Sequence, residues 1–202
     1  MSTSTERPLI KVIVGSVRPV RVGDQIAAAL APVLAEASGA RVEIIDLAGL
    51  ALPMLDEPMM PAMGNNQKPH TIVWSEMVKE SDAVVFLTPQ YNGGYPAALK
   101  NAVDYLYREW SAKPALIVSY GGHGHGGGQS GAQLRSVLEF VGLDLVAGNV
   151  ELTLPRDSYG ADWRLTDAEP IVTSHETPIR AAAEALGARL RNKAEAPVAA
   201  GA

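Results

Sequence analysis

Three stretches of the chain hold residue types that could do chemistry, and each follows a short apolar run. The first is Gly15-Ser16-Val17-Arg18-Pro19-Val20-Arg21-Val22-Gly23. Its glycines, hydroxyl and arginines suit a phosphate: backbone N–H groups at a helix start, Ser16 Oγ, and Arg18 or Arg21 for charge. It lacks the lysine and spacing of a Walker loop and is not the dinucleotide GxGxxG. The competing reading is an ordinary strand-to-helix turn with solvated arginines. The second stretch is Thr88–Asn101, TPQYNGGYPAALKN. Its bend, from Pro89 to Gly94, offers the Tyr91 ring, the amides of Gln90 and Asn92, and two glycines that let a ligand approach the backbone. The third is SYGGHGHGGG, Ser119 to Gly128. Its glycines can bring backbone donors close to a flat ligand walled by Ser119, Tyr120, Gly121 and Gly122. His123 and His125, at i and i+2 with no third ligand, are weak grounds for a metal, and none is expected. His123 or Tyr120 would touch a substrate, or the histidine is simply exposed.

The elements that must position these loops are legible from periodicity. Leu9–Val14, Ala83–Leu87 and Pro114–Ser119 are short apolar runs of the kind buried in parallel sheets. Arg41–Leu47 is a further strand, and Arg41 and Glu43 suit an edge. A helix after the first loop presents Val22, Ile26, Ala29, Leu30, Val33, Leu34 and Ala37 on one face, with Pro32 inside it and Ser38-Gly39 ending it. After the second loop, Tyr95, Ala98, Leu99, Ala102, Val103 and Leu106 make a helical stripe, with Pro96 in the first turn. Lys100 and Asp104 form an i, i+4 pair. Tyr105, Tyr107 and Trp110 make either a partner surface or packing against the chain itself. Thr71–Glu80, Gln129–Val141 and a last helix opening at Thr177-Pro178 complete the helices, and Leu143–Leu154 supplies a fifth strand broken near Gly148. Residues 48–69, with four methionines, form a long excursion that would line an adaptable substrate wall or tuck onto the core. Residues 155–174 form a second, polar excursion, and 1–8 and 193–202 are loose tails. Strands alternating with helices indicate an α/β doubly wound parallel sheet in a single domain spanning 1–202. Loops at the carboxyl ends of such strands are where these sheets bind ligands.

Composition removes several classes. At 202 residues the chain is long enough for a substantial core. A formal charge of −5 gives no general pull towards nucleic acid or anionic membrane. Without cysteine there can be no disulfide, thiolate nucleophile or zinc-thiolate site, which is compatible with a cytoplasmic home. No signal peptide is evident, and no apolar run approaches the ~18 residues of a membrane span.

The run PQYNGGYPAALKNAVDYLY, together with Gly15-Ser16-Val17-Arg18 after the first strand, resembles the NADPH-dependent FMN reductase family of flavin, quinone and azo-dye reductases. It is most similar to the yeast-type members, which carry Gln rather than the commoner Glu before Tyr-Asn. The resemblance covers about residues 9–154. It implies a flavodoxin-like, five-stranded parallel sheet of order 2-1-3-4-5, whose switch point places the first two loops on one crevice. It also implies FMN as cofactor and NAD(P)H as reductant, with ping-pong hydride transfer through flavin N5 to a quinone, azo dye or free flavin. No catalytic side chain is then required. The cofactor-binding residues would be Ser16, Arg18, Arg21, Gly23, Asp24, Gln25, Pro89, Gln90, Tyr91, Asn92, Gly93, Ser119, Tyr120, Gly121 and Gly122, and Tyr95 and His123 would meet substrate. Backbone N–H groups of residues 91–94 would face flavin N1 and O2, where negative charge develops. A neutral Gln90 removes one like charge from the reduced flavin. Family members generally associate through helices beside the flavin, which implies a homodimer or tetramer. A flavodoxin-like electron carrier or a redox-sensing regulator are the alternatives; the modest charge and the small residues around Asn92 favour an open face and an enzyme.

Overall fold

The computed structural model describes residues 7–122 and 124–195. The apolar runs form the strands β1 (Leu9–Val14), β3 (Ala83–Pro89) and β4 (Pro114–Gly121), buried along almost their whole length. β2 (Arg41–Asp46) pairs only with β1 and is partly exposed, as its charged residues require of an edge. All pairings are parallel, in the order β2-β1-β3-β4-β5. The fifth position is shared by β5 (Asp144–Leu145) and β6 (Val150–Thr153), which pair with the beginning and the end of β4. Between them Gly148 turns through φ 73°, as its place in the sequence suggested. The Arg135 guanidinium spans the interruption, donating to Val146 O, Gly148 O and Asn149 Oδ1.

Helices cover both faces. α1 (Gly23–Ser38), α6 (Glu169–Ser174) and α7 (Glu176–Glu195) bury one core with Ile26, Leu30, Leu34, Ile179 and Leu186. α3 (Pro69–Lys79), α4 (Ala97–Asp104) and α5 (Gly128–Phe140) bury the other, around Phe86, Trp74 and Trp110. The excursion after β2 holds only one helical turn, α2 (Leu47–Leu50), and a 3-10 turn at Pro61–Met63. It is held by α4. Asn101 accepts from Leu55 N–H at 2.9 Å and donates to Pro53 O at 2.7 Å, and Tyr105 OH bonds Asp56 Oδ1 at 3.0 Å. Burial and that carboxylate push the Tyr105 phenol up to about 12.

Several expectations need correction. Pro96 precedes α4 rather than lying inside it, and the helix ends at Asp104, before its apolar stripe does. Tyr105 and Trp110 are fully buried in their own chain, the latter against Trp74 and Phe86, and only Tyr107 of that cluster is exposed. The 155–174 segment is not merely polar: Leu165, Ala168, Ile171 and Val172 are buried, and the last two lie in α6. α7 runs on to Glu195, so the loose tail expected from 193 is helical at its start. Residues 1–6 and 196–202, the rest of the expected tails, lie outside the described residues.

Candidate active site

β1 and β3 are neighbours, so the loops after them rise side by side, joined where Gly15 N–H donates to Leu87 O at 2.9 Å. Ser16 is completely buried. Its Oγ lies 2.6 Å from Tyr91 OH and accepts weakly from Arg18 N–H at 3.4 Å. The first two motifs are therefore bonded to each other through their side chains. The third motif reaches the same point: a Cβ on Gly23 would lie 2.7 Å from Tyr120 OH. Burial pushes the Tyr120 phenol far above its ordinary value, and the neighbouring Tyr91, Tyr159 and Asp24 add to the effect. Tyr120 is thus a permanently protonated hydroxyl beneath the loop.

The start of α1 is open. Its first helical bond is Ile26 N–H to Val22 O, and Val22 provides no side-chain cap, so the N–H groups of Gly23, Asp24 and Gln25 have no partner within the helix. Arg18 is exposed and makes no ion pair among the described residues. Arg21 instead pairs with Asp46 at the end of β2, leaving its buried Nε without a partner among the described residues. Asp24 and Gln25, expected to meet the ligand, spend their side chains elsewhere. Arg164 donates to Asp24 Oδ2 at 2.8 Å, while Gln25 donates to Leu165 O and accepts from Leu165 N–H. Burial alone would raise the Asp24 carboxyl; the hydrogen bond and charge of Arg164 outweigh it and hold the group below its usual range.

The second loop makes a tight turn. Tyr91 N–H donates to Gly94 O at 2.8 Å and Gly94 N–H to Tyr91 O at 3.0 Å, with Asn92 at φ 50° and Gly93 at φ 85°. Of the four backbone donors expected at 91–94, two are thus consumed within the turn, and those of Asn92 and Gly93 remain for a ligand. Gln90 Oε1 accepts from Ser130 N–H at 3.3 Å and so caps the start of α5, while Pro89 O accepts from Ser130 Oγ. Gln133 holds the turn against α5 by donating to Gly93 O.

In the third loop Ser119 is fully buried and donates to Gly126 O at 2.8 Å. Its side chain thus supports the loop from beneath. Gly121 and Gly122 are partly exposed at the rim. Tyr95 is half-buried and packs towards the α4-side core, where burial raises its phenol. His123 lies outside the described residues. Among those described, no cluster of metal-ligating side chains exists.

What the sequence missed is the hairpin of residues 159–165, which brings Tyr159 and Arg164 to the first loop. The bonds of Arg164 cross about 140 residues, and no local pattern announces them. A cleft of about 340 Å³ opens beside the same loop, between Val17, α2 and Ala98 and Asn101 of α4.

The chain is similar to known proteins over most of its length. Residues 8–155 match the family model for NADPH-dependent FMN reductases. An NAD(P)H-dependent FMN reductase of Schizosaccharomyces pombe is 46% identical over 152 residues, 74% of this chain and 75% of the relative. A probable NADPH:quinone oxidoreductase of Oryza sativa is 34% identical over 179 residues, 84% and 88% of the two chains. Among solved structures, the flavoenzyme FerB from Paracoccus denitrificans superimposes with a TM-score of 0.67 at 24% identity, covering 92% of this chain and 98% of its own. That likeness agrees with the sheet order in giving a flavodoxin-like fold. With its motifs gathered on one crevice and matched over three quarters of its length, the chain belongs to the NADPH-dependent FMN reductase family, oxidoreductases that use FMN with NAD(P)H as reductant.

Proposed function

We propose that FMN lies in the crevice between the first two loops, its phosphate at residues 16–25 and its ring beside the turn of Asn92 and Gly93. The observation that carries this reading is the meeting of the motifs: Ser16 Oγ and Tyr91 OH are 2.6 Å apart beside an uncapped helix start. The residues fit the group. A phosphate dianion needs donors and positive charge, and the site offers three helix-start N–H groups outside the helix's own ladder, the Ser16 hydroxyl, the Arg18 guanidinium and a buried Arg21 Nε with no partner among the described residues. Asp24 and Gln25 contribute through their N–H groups, since their side chains are engaged.

When bound, FMN supplies the two-electron chemistry between the reduced nicotinamide and the acceptor. The chain's own residues do the rest. The N–H groups of Asn92 and Gly93 are fixed donors for charge that develops on an electron-rich ring edge. Tyr91 is held at its hydroxyl by a hydrogen bond with Ser16, which ties the second loop to the first. Gln90 is turned to the start of α5, so its neutrality acts at that helix end rather than by direct contact. The reading assigns the hydride transfer to the flavin, by a ping-pong course, and asks no general acid or base of the chain. Small quinones, azo compounds or free flavin are the acceptors, drawn from the activities named for the chain's relatives and neighbours. A cytoplasmic location belongs to the same reading, and no described helix is long and apolar enough to cross a membrane.

The test is direct. NAD(P)H should bleach FMN on the protein before any acceptor is added. Arg18→Ala should weaken FMN binding by about 1–3 kcal/mol, the scale for a charged hydrogen bond, with the fold unchanged because the side chain is exposed. Equal FMN affinity in that variant would sink the phosphate assignment.

A further inference from the structure

The hairpin of residues 159–165 lies outside the stretch matched by the family model, yet it is bonded to the loop proposed for the phosphate. Its own frame is closed: Gly160 N–H donates to Arg164 O at 2.8 Å, Thr166 N–H to Ser158 O at 2.9 Å, and Tyr159 bridges Leu165. Leu165 is buried in the α1-side core, which anchors one strand of it. From that anchor four hydrogen bonds reach the start of α1. Arg164 donates to Arg21 O at 2.7 Å and to Asp24 Oδ2 at 2.8 Å. Leu165 exchanges both backbone bonds with the Gln25 carboxamide, at 2.8 and 3.1 Å. Together these partners run from the last turn of the loop into the first turn of the helix, where the N–H groups of Gly23, Asp24 and Gln25 lie outside the helix's own ladder.

The other strand carries Tyr159. It is half-buried and packs on the same core. Its bridge to Leu165 sets it beside the strand whose Arg164 and Leu165 bond the start of α1. Its hydroxyl has no hydrogen-bond partner among the described residues, whereas the Ser16 hydroxyl is bonded to that of Tyr91.

We propose that this hairpin is a clamp on the phosphate loop. Arg164 and Leu165 fix the backbone of Arg21, Asp24 and Gln25 so that the helix-start donors stay aimed, and Tyr159 adds a hydroxyl to the bound phosphate. The hairpin thereby makes the site selective for a phosphorylated flavin over riboflavin. The proposal rests on the reading of the crevice as an FMN site and adds a specificity device to it. Arg164 is a positioning residue, acting through Asp24 and the loop backbone, whereas Tyr159 touches the ligand.

The experiment is a titration of flavin-stripped protein with FMN and, separately, with riboflavin, followed by flavin fluorescence. Tyr159→Phe keeps the ring and its packing, so folding is preserved. It should raise the FMN dissociation constant about tenfold and leave that for riboflavin unchanged. Arg164→Ala should raise the FMN constant by a similar factor and quicken FMN release, with Arg164→Lys in between, because lysine keeps the charge on Asp24 but loses the fork that also reaches Arg21 O. Two results overturn the clamp while leaving the FMN site intact: Arg18→Ala loses FMN but Tyr159→Phe and Arg164→Ala do not, or both hairpin variants lose FMN and riboflavin equally. A wild-type protein that binds riboflavin as tightly as FMN overturns both the clamp and the phosphate site beneath it.

Discussion

Gly23 is the residue where fold and site press hardest on each other. It opens α1, and an added Cβ would meet Tyr120 OH at 2.7 Å and Val14 Cγ1 at 3.1 Å. Tyr120 is a rigid buried ring and cannot move its hydroxyl aside alone, so Gly23→Ala must shift the loop. We expect a stability loss of about 1–3 kcal/mol in urea unfolding, together with weaker FMN binding. Gly93 is a poorer probe of flavin contact than the sequence suggested. Its φ of 85°, and a Gln129 side chain that would stand 3.2 Å from an added Cβ, penalise a larger residue before any ligand is present. Asp24 gives a prediction in pH. Its carboxyl is held low in the folded protein by Arg164, so it stabilises the fold above the ordinary aspartate value of about 4, and that contribution is lost as pH falls through the lower folded value. Urea unfolding at pH 3, 5 and 7 should therefore show wild type above Asp24→Asn at the two higher values and the gap closing at pH 3. A gap that widens in acid contradicts the assigned ion pair.

At the scale of elements, the sheet was legible because its strands are short runs buried on both faces, and such runs carry their own signature in Leu9–Val14 and Ala83–Leu87. The break at Gly148 was legible because only a glycine turns so readily there. The end of α4 was not: Tyr105 and Leu106 continue the apolar stripe, but they are buried after the helix has stopped, so burial outlasted periodicity. α6 was missed because Pro170, Ile171 and Val172 are too few to show a period. The loops' meeting was foreseen from the switch point, whereas the engagement of Asp24 and Gln25 by Arg164 and Leu165 depends on distant partners. β4 illustrates a strand whose two ends do different work. Tyr120 closes the site at one end; Lys113 precedes the other, buried, donating to Ser81 O. Burial, with Lys193 and Lys11 nearby, pushes the Lys113 ammonium down from 10.5 to about 8, though Asp82 and Glu109 oppose the shift. A lysine depressed in the folded state costs stability while it is charged. The unfolded chain binds more protons between about pH 8 and 10.5, so stability rises there. Relative to Lys113→Met, wild type should gain stability as pH is raised across that window, measured by denaturant unfolding at pH 7, 9 and 10; a flat difference means that the ammonium is hydrated and not buried.

At the scale of the whole molecule, the open question is what covers the outer surface between α4 and α5. The expectation of a homodimer or tetramer rested on the family resemblance and on Tyr105, Tyr107 and Trp110, and two of those three rings are core. Trp110→Ala would leave a cavity among Trp74 and Phe86 and cost roughly 3–5 kcal/mol, so it reports on folding and not on association. The surviving motive is different. Tyr107 is 41% exposed, Phe140 at the end of α5 is 82% exposed, and with Met60 and Val137 they line a cleft of about 480 Å³ between the two helices. Exposed aromatics beside a cleft suit a symmetric contact, in which the patch of one copy meets the same patch of another. Tyr107 and Phe140 lie at the C-terminal ends of these helices, whereas the second and third loops adjoin their N-terminal starts, so an association there would reach the crevice only through the length of the helices. We therefore predict a dimer through Tyr107 and Phe140, and a monomer when they are changed to Ala and Lys respectively, since neither is in the core and the fold should survive. Light scattering at micromolar concentration decides: a wild-type mass near 21 kDa means that no such interface exists. If the double variant is monomeric and still bleaches FMN with NAD(P)H but turns over a quinone poorly, the second copy helps shape the acceptor side. Full turnover in the monomer would make the contact purely architectural.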